Sequence, residues 1–84
     1  MSELNIGSVV KAAAGKESGG YYAVTGFTEN HALIADGRKR RLDSPKRKNP
    51  KHLILSHERL DMEGMTDKKL RNVLRTITDS TPQP

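Results

Sequence analysis

The chain has 84 residues and no cysteine, and its fifteen Lys or Arg against ten Asp or Glu give a formal net charge of +5. That length holds one small domain, and the lack of Cys excludes a disulfide framework, a thiolate zinc site and a cysteine nucleophile. Val, Ile, Leu and Phe number 17 of 84, near the composition at which chains stop folding, so a small core that leaves part of the chain outside is expected.

In chain order, residues 1–5 read as an N-terminal arm and MSELNIGSVV, acidic and mixed, is unlike a secretory signal. Residues 7–14 (GSVVKAAA) begin a strand that Gly15 ends, and Gly15-Lys16-Glu17-Ser18-Gly19-Gly20 is a turn supplied with glycines for positive φ. Tyr21 to Phe27, rich in aromatic and β-branched residues, reads as a second strand. His31 to Asp36 reads as a third, stopped by the Asp36-Gly37 hairpin signal, after which Arg38 to Asp43 is expected to pair back. Lys46 to Lys51 reads as a basic loop held between Pro45 and Pro50, and His52 to Ser56 as a fifth strand. Short, evenly spaced elements separated by turns predict an all-β-dominated fold, a small antiparallel barrel spanning residues 6–60. In the C-terminal segment 61–78, Leu70, Val73, Leu74 and Ile77 fall on one face of a helix over residues 66–77, with Thr66 as its cap and Asp67 at the positive end of its dipole. That face is expected to dock on the barrel, and residues 79–84 to form a disordered tail.

Charge is unevenly spread. Residues 38–51 hold Arg38, Lys39, Arg40, Arg41, Lys46, Arg47, Lys48 and Lys51 with Asp43 as their one acid, which is +7; the seven basic and nine acidic residues elsewhere sum to −2. Such a run is commonly a solvated surface that keeps a protein in solution, but eight like charges in fourteen residues also repel one another and favour a polyanionic partner. Tyr21 and Tyr22, adjacent on a strand, point to opposite faces, and Tyr21 is the better candidate for a nucleic-acid contact because Val24 shares a face with Tyr22. The basic segment itself has no interleaved aromatics, which favours backbone and shape recognition over a stacking platform. His31, His52 and His57 have no metal-ligand spacing. GKESGG lacks the Lys-Ser/Thr ending of a P-loop. Nothing places a nucleophile beside an activating base, so no enzyme activity, cofactor or metal is expected.

The stretch GSVVKAAAGKESGGYYAVTGF (residues 7–27), an alternating strand, a Gly-flanked polar turn and a second alternating strand, resembles the KOW motif of ribosomal proteins and transcription elongation factors. Residues 30–53, NHALIADGRKRRLDSPKRKNPKHL, extend the resemblance to small bacterial KOW-domain proteins, which are similar to a large-subunit ribosomal protein family of archaea and eukaryotes. The resemblance implies an SH3-like β-barrel that binds RNA, often ribosomal RNA. It makes Gly15 and Gly19 the structural glycines of the KOW turn, and Lys16, Arg38, Lys39, Arg40, Arg41, Lys46, Arg47, Lys48 and Lys51 phosphate contacts, with Asn49 and His52 adding hydrogen bonds. The expected protein is a cytoplasmic monomer that binds ribosomal RNA or a ribosome-associated complex and no membrane. The rival partners are an acidic protein of the transcription or translation machinery, and duplex DNA.

Overall fold

The computed structural model describes residues 4–13, 15 and 19–80. The chain forms five strands and a helix: β1 (Ser8–Ala12), β2 (Tyr21–Phe27), β3 (Ala32–Ala35), β4 (Lys46–Lys48), β5 (Leu53–Arg59) and α1 (Asp67–Ser80), with a 3-10 turn at Pro50–His52 between β4 and β5. All pairings are antiparallel, in the order β4-β3-β2-β1-β5. The mostly-β class, a total of five strands among the described residues and the C-terminal helix are as expected, but the fourth strand is not the segment expected. Among the described residues closure into a barrel is not seen: the hydrogen-bonded ladder ends at β4 on one side and β5 on the other.

The central strands β1, β2 and β3 are buried on both faces, which is why they read as Val9-Val10, Tyr22-Ala23-Val24 and Ile34-Ala35 rather than as strict alternation. Register sorts these residues. Val9 lies opposite Ala23 and Ala23 opposite Ala35, and this face packs on Leu70 and Leu74 of α1, with Tyr21, Leu42, Met65 and Ile77 around them. Alanine at 23 and 35 leaves room for the leucines of the helix to approach the sheet. Val10, Ala12, Tyr22, Val24 and Ile34 form a second cluster on the other face, against which Leu4 and Leu53 pack. The ladder slips between Ser8 and Val10 and between Val24 and Gly26, irregularities of the kind that bend a strand and increase its twist.

The helix stands where its apolar stripe predicts. Thr66 Oγ1 accepts the Lys69 backbone N–H at 3.1 Å, as an N-cap does, and the helix continues to Ser80, so Asp79 and Ser80 belong to it rather than to a tail. The remainder of the expected tail, 81–84, lies outside the described residues. Of the N-terminal arm, Leu4 packs on the second cluster and the Asn5 N–H donates to Ser8 Oγ at 2.9 Å. Among the described residues no helix is long and apolar enough to cross a membrane.

Two further expectations are corrected. Residues 38–43 do not form a strand. Asp36 Oδ1 accepts the N–H groups of Arg38 and Arg40 at 2.9 and 3.1 Å, and the Asp36 and Gly37 N–H groups donate to the Arg40 carbonyl. A carboxylate that satisfies nearby donors locally removes the need for a ladder. The fourth strand is instead Lys46–Lys48, the segment expected to be a loop. Ile34 lies opposite Lys46, Leu33 opposite Arg47 and Ala32 opposite Lys48. Three cationic residues suit a short edge strand, because charge there opposes pairing with another chain.

Candidate nucleic-acid interface

The loop before β4 and the strand itself bring part of the basic run together. His31, at the entrance to β3, with Arg40, Pro45, Lys46 and Arg47, lines an open groove of about 390 Å³ whose lining contains no carboxylate. Lys48, at the end of β4, lies opposite Ala32 on β3. Arg47 is exposed, while Lys46 and Lys48 are half-buried, the usual disposition of a long cationic side chain whose stem lies on the protein and whose head stays in water.

The chain then tightens into the 3-10 turn. Asn49 Oδ1 caps it by accepting the Lys51 N–H at 2.9 Å, and Pro50 fills the first position, where a missing N–H costs nothing. The cap engages only the carbonyl oxygen of Asn49. The exposed side chains of Lys51 and His52 follow. The His52 carbonyl accepts the Ala13 N–H at 2.8 Å, so this turn is fastened to the exit of β1, where the Gly15–Gly19 connection begins. Gly19 closes that connection by donating its N–H to the Ala12 carbonyl at 2.8 Å. Both glycines have positive φ, 83° and 89°. Lys16 lies outside the described residues.

Arg38, Lys39 and Arg41 do not line the groove. Lys39 is exposed in the 36–40 loop. Arg41 Nε sits 3.3 Å from Asp67 Oδ2 at the start of α1, and Asp67 Oδ1 accepts the Leu42 N–H at 2.8 Å. The Asp67 carboxyl is held below its ordinary range chiefly by the Leu42 bond, which outweighs the opposing effect of desolvation, with smaller pulls in the same direction from Arg41 and Arg71. Asp67 thus fastens the 41–42 segment to the helix, and Arg41 is partly committed to that link.

Arg38 turns toward α1 instead, into a cleft it shares with Tyr21, Asp36, Arg71, Leu74, Arg75 and Thr78. Arg71 and Arg75 were not singled out by the sequence. The signal was present: the two arginines are four residues apart, beside the apolar Leu70-Leu74 stripe, and therefore neighbours on the flank of a docked helix. The basic run thus divides between the β4 edge, the 3-10 turn and the helix side. Comparison with family models and with curated proteins gives no match.

Proposed function

We propose that this protein is a non-enzymatic, cytoplasmic RNA-binding module whose β4 edge, 3-10 turn and Gly15–Gly19 connection track an RNA backbone, with ribosomal RNA or a ribosome-associated complex as the target. The observation that carries the proposal is the acid-free groove at the β4 edge, lined by Arg40, Lys46, Arg47 and His31 and followed in the chain by the exposed Lys51 and His52. Cations that replace the counterions of a nucleic acid release them, which gives affinity without sequence reading. The KOW resemblance of residues 7–27 names the polyanion as RNA and adds Lys16 to the contacts. Contacts from Lys16, Arg40, Lys46, Arg47, Lys48 and Lys51 would supply six neutralised phosphates.

Lys46→Gln, Arg47→Gln and Lys51→Gln together test the assignment. These side chains have no hydrogen-bond or ion-pair partner among the described residues, so the fold should survive. Three lost contacts should reduce the steepness of log K against log salt by about 2 on single-stranded RNA. An unchanged slope in a folded triple variant removes these residues from the interface.

A second proposal has its own observation. Ile54 on β5 is 56% exposed, two residues beyond the exposed His52, and an acidic protein with an apolar contact would fit that combination. Crosslinking in cells separates the two: recovered RNA supports the first, and recovery of an acidic protein without RNA supports the second.

A further inference from the structure

The cleft between α1 and the 36–40 loop lies apart from the β4 groove and shares no lining residue with it. We propose that it holds one nucleotide of a single RNA strand, the phosphate among Arg38, Arg71 and Arg75 and the base against the Tyr21 ring. The proposal rests on the RNA reading for the source of the nucleotide, but the site is separate from the rim.

Three features set the cleft apart from an ordinary cationic helix face. It is concave, about 230 Å³ in volume, smaller than the roughly 300–1,000 Å³ of sites that enclose a drug-sized ligand and so suited to one unit of a chain. Its cations are partly fixed: Arg71 Nη1 donates to the Gly37 carbonyl at 2.8 Å, and Arg75, one turn further along the same helix flank, donates through Nη2 to Asn72 Oδ1 at 3.4 Å. Arg38, across the cleft, has no side-chain partner among the described residues. The one acid in the lining, Asp36, has an oxygen taken up by two backbone N–H groups, and outside the lining Arg71 also acts on the Asp67 carboxylate, so the three guanidiniums outnumber the carboxylates near them. Guanidiniums fork onto phosphate oxygens.

The remaining lining is Tyr21, Leu74 and Thr78, whose hydroxyl donates to the Leu74 carbonyl at 2.9 Å. Tyr21 is half-buried, packed at the border of the α1-facing cluster, and Lys11 Nζ lies 5.9 Å from its ring centroid. Leu74 contributes an apolar side chain beside the ring. An aromatic ring beside arginines is the combination that recognises unpaired bases, whereas a base in a duplex keeps its faces stacked.

The test follows the ring signals of Tyr21 and the guanidinium signals of Arg38, Arg71 and Arg75 by NMR on the full chain. A mixed-sequence RNA hexamer, free AMP and inorganic phosphate are titrated separately. The hexamer should move all four residues, AMP should move the same four at higher concentration, and phosphate should move only the arginines. Tyr21→Leu should weaken the hexamer about tenfold, for one lost stacked base, and Arg38→Gln, at an exposed position that does not bear on folding, about two- to fivefold. AMP binding as tightly as the hexamer would overturn the strand assignment in favour of a free nucleotide. Tyr21 signals unmoved by hexamer and AMP would overturn the site, and the rim would still stand if the triple Gln variant lost affinity. A hexamer that ignores the triple variant but is lost in Tyr21→Leu and Arg38→Gln would leave this site standing and remove the rim.

Discussion

Gly19 and Gly37 share a left-handed φ, 89° and 78°, for different reasons. A Cβ on Gly19 would meet nothing within 4 Å, so conformation alone demands glycine there; a Cβ on Gly37 would collide with the Asp67 carbonyl oxygen at the first turn of α1. Gly19→Ala should therefore cost about 1–2 kcal/mol, the strain of an L-residue at that angle. Gly37→Ala should cost more, since the same strain is joined by displacement of the helix. Urea midpoints of the two variants check the order, and equal losses would contradict it. Asp67 gives a second prediction at this scale. Its folded pKa lies below the ordinary 3.8, so its charge stabilises the fold above the unfolded carboxylate range, and that stabilisation is lost as pH falls through the lower, folded value. Asp67→Asn should be less stable than the parent near neutral pH, and the difference should vanish in strong acid. A difference independent of pH would show that the carboxylate charge plays no part in holding the 41–42 segment.

Elements whose residues carry their own signal were legible, and those that depend on a neighbour were not. Tyr21–Phe27 is strand in sequence and in structure because aromatic and β-branched side chains fit a sheet. The α1 stripe was legible from Leu70, Val73, Leu74 and Ile77, and its docking puts Leu70 at 0% exposure. Leu70→Ala should cost about 2–5 kcal/mol by removing methyl groups from between sheet and helix; thermal unfolding reads this, and a loss under 1 kcal/mol would mean the helix is not part of the cooperative core. Lys46–Lys48 has no alternation to announce a strand. It becomes one because β3 offers an unpaired edge and because Asp36 folds the preceding residues into a loop. The same local capture explains why 38–43 is not the strand that the Asp36-Gly37 signal suggested. Burial on both faces hides the period of two on which a strand reading relies.

At the scale of the molecule, central strands buried on both faces leave the edge strands and connecting loops to present exposed side chains. The basic run was legible as charge, but its division was not. Arg41 pairs with Asp67, Arg38 faces Arg71 and Arg75, and Arg40, Lys46 and Arg47 share a groove. Sequence distance does not reveal that Arg38 and Arg75 border one cleft, since only the docking of α1 brings them together. The central claim is that the cations of the β4 edge and its adjoining turns bind RNA through phosphates. The salt dependence of affinity for single-stranded RNA tests it most directly. Six contacts predict that log K falls against log salt with a slope of roughly −4, and a flat response would contradict the claim.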